Sequence, residues 1–106
     1  RMIRPGLGVS LANKNLSRQV GVEEGALIIN VQPGSSADKA GLRGTRQVDG
    51  SMILGDIIVE VNGVPVDDYN SLRDELEQYK VGDIVTLTII RRGETLQVDV
   101  GLEALD

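Results

Sequence analysis

The residues with the clearest chemical potential form a glycine-framed tetrapeptide near the start of the chain, Gly6-Leu7-Gly8-Val9. Glycines on both sides of a leucine let the backbone curl until successive N–H groups face one point. Such a nest holds an anion, including a peptide's terminal carboxylate. Two plainer readings compete. A dinucleotide fingerprint fails, because Leu11 stands where its third glycine belongs and no long helix follows. A simple glycine turn entering a strand stays open, and from four residues alone it is the more economical reading.

The charged residues offer less. Glu23-Glu24, Asp67-Asp68 and Asp74-Glu75 are adjacent carboxylates. A carboxylate pair drives glycoside hydrolysis only when its members face each other across a cleft, whereas neighbours in sequence point apart. They read as caps and solvated faces, and they lack the spacing of a calcium loop, so no metal is expected. Arg1, Arg4, Arg91 and Arg92 read as a solvated edge. Asn15-Leu16-Ser17 matches a glycosylation sequon, a pattern common by chance.

What is missing narrows the chemistry further. The 106 residues contain no His and no Cys, which excludes a Ser-His-Asp triad, a Cys-His pair, His- or Cys-ligated zinc and any disulfide. No cofactor is implied. A net charge of −5 with two aromatics, Tyr69 and Tyr79, argues against nucleic acid, which asks for basic patches and stacking platforms. No apolar run approaches the roughly 20 residues of a membrane span, so no direct membrane insertion is expected. No targeting segment is visible. The length suits one domain, and a first residue of Arg suggests a piece excised from a longer protein.

Short elements must position these residues. Alternation over Leu7, Val9 and Leu11 predicts a strand with one buried face. The stretch from Ala12 to Glu24 reads as loop, with a helical turn near Leu16–Val20. Ala26–Val31 predicts a buried strand ended by Pro33-Gly34. Ser35-Ser36 caps a short helix, Ala37–Ala40, stopped by Gly41. Arg43–Ser51 reads as a surface loop. Asp56–Val61 predicts a strand closed by the tight-turn pair Asn62-Gly63, with Val64-Pro65-Val66 extended after it.

Asp67-Asp68 then open the longer helix, on which Tyr69, Leu72, Leu76 and Tyr79 form one apolar stripe while Arg73, Asp74, Glu77 and Gln78 point elsewhere. Usually such a stripe only packs on a sheet; it can also wall a groove. A hairpin closes the chain, with Val85, Leu87 and Ile89 alternating on one strand and Leu96, Val98, Val100 and Leu102 on the other, joined by Arg91-Arg92-Gly93-Glu94. The sum is a β-rich α+β domain of five to six short strands with one longer and one short helix.

In this order the segments resemble a PDZ domain. Gly6-Leu7-Gly8-Val9 resembles the family's carboxylate-binding loop. Ser35-x-Ala37-x-x-Ala40-Gly41-Leu42 and Gly55-Asp56-x-Ile58-x-x-Val61-Asn62-Gly63 are more specific than that loop. The likeness spans nearly all of residues 1–106 and implies a single PDZ domain, a small partly open barrel or sandwich. The Arg-Pro-Gly-Leu-Gly-Val start and the ending from Val81-Gly82-Asp83 through Val98-Asp99-Val100-Gly101-Leu102-Glu103 are similar to PDZ domains of HtrA/Deg serine proteases. The long loop Arg43–Ile53 resembles that of their photosynthetic and some other bacterial members. Two departures stand out: Val9 replaces a Phe frequent in metazoan PDZ domains, and the helix start lacks the His that selects Ser or Thr in one class.

The resemblance implies a non-catalytic peptide-binding module of an HtrA-like protease engaged in protein quality control. A protein or peptide C-terminus would pair with Val9, Ser10 and Leu11. Its carboxylate would sit on Gly6, Leu7, Gly8 and Val9, and its last side chain in a pocket of Leu7, Val9, Leu72 and Leu76. The protease domain would lie upstream in the parent chain. The location would be extracytoplasmic: periplasm, cell envelope or thylakoid lumen. Two other readings stay open: a docking or oligomerisation PDZ module with an occluded groove, and a PDZ domain of another protease or an adaptor. An independent small enzyme is the weakest alternative. Leu7→Asp or Leu72→Arg is expected to weaken binding while the fold survives.

Overall fold

The computed structural model describes residues 4–105. Arg1 lies outside them. The chain order is β1 (Arg4–Gly6), β2 (Val9–Leu11), α1 (Lys14–Gln19), β3 (Ala26–Val31), α2 (Ser36–Lys39), β4 (Arg46–Val48), β5 (Ser51–Ile53), β6 (Ile57–Val61), β7 (Val64–Pro65), α3 (Tyr69–Leu76), β8 (Ile84–Arg91), β9 (Glu94–Gly101) and β10 (Glu103–Leu105). This is the strand-rich α+β architecture the patterning predicts.

The main sheet runs β2-β3-β6-β8-β9, with β7 also paired to β6, which gives six strands. All its pairings are antiparallel. The alternation foreseen for the closing hairpin holds where it matters: Val85, Leu87 and Ile89 are fully buried, and they meet Ile28, Ile58 and Val61 in the core. Burying an aliphatic side chain of this size is worth roughly 1.5–3 kcal/mol.

Two small sheets depart from expectation. β1 pairs with β10, Gly6 opposite Glu103, so the two ends of the described chain meet. The segment read as a surface loop, Arg43–Ser51, contains β4 and leads into a hairpin with β5, Arg46 opposite Ile53. Its residues are nearly all exposed, so no buried alternation betrays it. Leu7 also leaves its predicted strand. It lies between β1 and β2, where Gly8 turns the chain with φ +82°.

The helices follow local signals. The Asn13 carboxamide caps α1 by accepting from the Leu16 N–H at 2.8 Å, which starts that helix earlier than the predicted turn. In α3 the Asp68 carboxylate accepts from the Ser71 N–H at 2.8 Å, while the Ser71 hydroxyl accepts from the Asp68 N–H at 3.0 Å. That reciprocal box satisfies two otherwise unpaired donors. Asp67 acts elsewhere. Its carboxylate accepts from Lys14 Nζ at 3.1 Å and from the Gly25 N–H at 3.1 Å, tying α1 and the entry of β3 to the base of α3. The helix ends at Leu76, short of Tyr79, which packs half-buried against the core from the following turn.

Candidate functional site

β2 is an edge strand, and what its backbone leaves unpaired defines the site. The Gln32 N–H donates to the Gly8 carbonyl at 2.9 Å and the Ala12 N–H to the Leu27 carbonyl at 2.9 Å. With Val9 opposite Val31, these bonds bracket β2 so that Val9 turns its own N–H and C=O away from β3, toward the open edge. Among the described residues the Leu7 and Gly8 amides donate to no partner. Three consecutive N–H groups at the mouth of β2 are therefore free for a ligand.

Two devices hold this loop open. The Ala37 N–H, in the first turn of α2, donates to the Leu7 carbonyl at 3.0 Å and fixes the strand of chain before the turn. Gly8 is the second. Its positive φ favours glycine, and a Cβ there would collide with Ser35 Cβ. Gly6, by contrast, is buried in β1 without a left-handed backbone, so the nest owes its curl to Gly8 and not to both glycines. Ser35 and Ala37 support the site, although the sequence places them only in a short capped helix and in the family-like Ser-x-Ala motif, with no role in the loop. Their signal was the Ser-x-Ala spacing itself.

Beside the loop and β2 runs α3. Between them lies a groove with a cavity of about 70 Å³, walled by Leu7, Val9 and Leu11 on one side and by Leu72 and Leu76 on the other. All four residues expected in the apolar pocket thus line one cavity. Ser10, the middle residue of β2, is exposed and lines none of it. Three residues not assigned to the site do line it: Pro5, Tyr69, half exposed, and Arg73, which the sequence placed on the far face. The Arg73 guanidinium lies 5.6 Å from the centre of the Tyr69 ring and 3.2 Å from the Asp74 carboxylate. That carboxylate raises the pKa of a group already charged at every physiological pH.

Burial corrects one expectation. Leu7 and Leu72 are only 2% and 3% exposed and belong to the central core as much as to the groove. A charge at either would be buried unpaired, so neither Leu7→Asp nor Leu72→Arg leaves the fold intact. Val9, partly exposed, is a wall residue that can be changed with less damage than either.

Arg91, read as part of a solvated edge, is also structural. Its guanidinium grips the buried Asp56 carboxylate with two bonds, Nε to Oδ1 at 2.8 Å and Nη2 to Oδ2 at 2.7 Å, and donates to the Gly41 carbonyl at 3.0 Å. The hydrogen bonds to Asp56 raise the Arg91 pKa further. Asp56 also accepts from the Arg43 N–H at 3.0 Å, which completes the satisfaction of its carboxylate.

The glycine turn, the free edge and the apolar groove coincide with a sequence match: the PDZ domain family covers residues 5–102. The chain belongs to the PDZ domain family. Its curated relatives are Deg-type proteases. It is 41% identical over 104 residues to Protease Do-like 8, chloroplastic, of Arabidopsis thaliana, which takes in 97% of this chain and 23% of that protein. It is 35% identical over 85 residues to the periplasmic serine endoprotease DegP of Escherichia coli K12, 80% of this chain and 15% of that protein. The PDZ chain thus spans less than a quarter of the length of either relative. In fold it matches the HtrA3 PDZ domain bound to a phage-derived ligand (FGRWV), with a TM-score of 0.74 at 22% identity over 98% of this chain and 89% of that one. The HtrA-type protease AlgW with a decapeptide matches with a TM-score of 0.70 at 18% identity, over 98% of this chain and 30% of that one. Among the described residues no helix is long and apolar enough to cross a membrane.

Proposed function

We propose that this PDZ domain is the peptide-capturing module of an HtrA-like serine protease, binding the exposed C-termini of unfolded or cleaved proteins. The observation that carries the reading is the run of unpartnered N–H groups at Leu7, Gly8 and Val9, placed where the open edge of β2 meets an apolar groove. An extended peptide adds to β2 as a further strand through the N–H and C=O groups of Val9 and the open edge beyond it. Its carboxylate rests on the three amides, and its last side chain, aliphatic by the character of the walls, enters between Val9 and Leu72. The fold of peptide-bound HtrA PDZ domains and the names of the Deg relatives support the same reading.

Each hydrogen bond contributes a net of about 0.5–1.5 kcal/mol, and one buried aliphatic side chain roughly 1.5–3 kcal/mol. After the cost of association, binding on the order of micromolar or weaker is expected, suited to sampling many termini. Catalysis belongs to a protease domain upstream in the parent protein, to which the captured chain is delivered or signalled. Relatives named periplasmic and chloroplastic favour an extracytoplasmic or lumenal setting.

The test is a fluorescence-anisotropy titration with a labelled peptide ending in Val, on the native domain and on Val9→Ser. The expected result is saturable binding, weakened about tenfold by the loss of one apolar wall contact. Equal affinity in a folded variant contradicts the pocket.

A further inference from the structure

We propose that Arg43, Arg46 and Arg92 form a second docking site, separate from the peptide groove, for an acidic segment of a partner protein. The three arginines are brought together from distant parts of the chain. Arg43 follows α2, Arg46 opens β4, and Arg92 sits at the tip of the β8–β9 hairpin. They border one small depression of about 10 Å³ together with Ile53 and Leu54, and Arg43, Gly44 and Arg46 also line a broader, open cavity of about 480 Å³. All three are exposed, and none forms an ion pair among the described residues. The carboxylate that lines this depression, Asp56, is fully engaged by Arg91 and the Arg43 N–H. The result is a local concentration of unpaired guanidinium groups on a chain of net charge −5.

The backbone at Arg92 adds an independent observation. Among the described residues three hairpin tips carry positive φ at both central residues: Asp49-Gly50 (51° and 77°), Asn62-Gly63 (48° and 82°) and Arg92-Gly93 (51° and 80°). Asp and Asn tolerate that left-handed first position. Arginine does so less readily, so its charge is placed at this tip against the local preference.

Guanidinium forks match carboxylates in bidentate geometry, which fits Glu- or Asp-rich peptide. An extended polyanion such as nucleic acid, or an anionic membrane, would also feel the chain's overall net charge of −5. A short acidic segment meets the patch alone.

The experiment titrates the 106-residue chain with amidated hexaglutamate, whose blocked terminus cannot use the carboxylate loop, and follows backbone amide NMR shifts. Saturable shifts centred on Arg43, Gly44, Arg46 and Arg92 are expected, weakened about tenfold between about 50 and 300 mM NaCl. The triple variant Arg43→Gln, Arg46→Gln, Arg92→Gln should bind at least about tenfold more weakly while still binding a peptide ending in Val with unchanged affinity. The proposal is overturned by the absence of shifts at low salt, by undiminished binding of the triple variant, or by tighter binding of a single-stranded hexanucleotide or anionic vesicles than of hexaglutamate.

Discussion

The groove beside β2 and the arginine end beside the β4–β5 hairpin both present unsatisfied groups to solvent, but of opposite kinds. At the groove the free groups are backbone amides set beside apolar walls that are continuous with the core. At the arginine end they are exposed guanidinium groups on long side chains, and the nearby buried ion pair, Asp56–Arg91, is already closed. Backbone donors on a fixed edge cost little further ordering on binding. Flexible arginines must be immobilised and are screened by salt. The first region is thus built for a directional, largely salt-insensitive contact, and the second for a weak electrostatic one.

The largest expected effect erases the comparison altogether. Ile89, fully buried on β8, packs in the core on which both regions rest, and Ile89→Asp should leave no cooperative thermal transition in calorimetry. Breaking the buried pair comes next. Asp56→Ala leaves Arg91 without its carboxylate and should cost about 3 kcal/mol in urea unfolding, toward the low end for buried pairs because the Arg91 side chain keeps 22% exposure. Val9→Ser separates the regions. It should weaken C-terminal peptide binding about tenfold, as stated above, and leave hexaglutamate binding unchanged by NMR.

Arg92→Asn works the other way. It restores a favoured turn residue, so stability should rise by up to about 1 kcal/mol while hexaglutamate affinity falls a few-fold and C-terminal peptide affinity stays constant.

The smallest effect tests how α3 is anchored. The Lys14 ammonium, together with the Gly25 N–H, holds the Asp67 carboxyl below its ordinary pKa. A depressed folded pKa contributes stability that is present above the unfolded value, near 3.9, and lost as pH falls through the folded one. Asp67→Asn should therefore flatten the pH dependence of stability below about pH 4. Because the Asp67 side chain is 59% exposed, the change should amount to a few tenths of a kcal/mol.

The groove was more legible in the sequence than the arginine end, for a physical reason. The strand Ala26–Val31, the cap at Asp68 and the stripe of Leu72 and Leu76 are local patterns set by burial and by hydrogen-bond demand, and each appears where it was read. The groove follows once β2 and α3 are neighbours. The β4–β5 hairpin has almost no buried residue to impose a period. Its one signal, Asp49-Gly50, sits inside a run of polar residues that also suits a loop. The partnership of Asp56 with Arg91 spans 35 positions and depends on β6 and β8 lying side by side, which no local pattern encodes. Arg73 was missed for the opposite reason, since its partner is local: Tyr69, a turn earlier on α3, gives its guanidinium an aromatic face to lie against.

The central claim is that Leu7, Gly8 and Val9 hold a terminal carboxylate. Its most direct test is a pair of amide NMR titrations with one peptide ending in Val, first as the free acid and then with its C-terminus amidated. The account predicts saturable shifts at Leu7, Gly8 and Val9 with the acid and their loss with the amide. Equal shifts with both peptides would show that the groove reads internal segments and that the free amides of the loop hold no carboxylate.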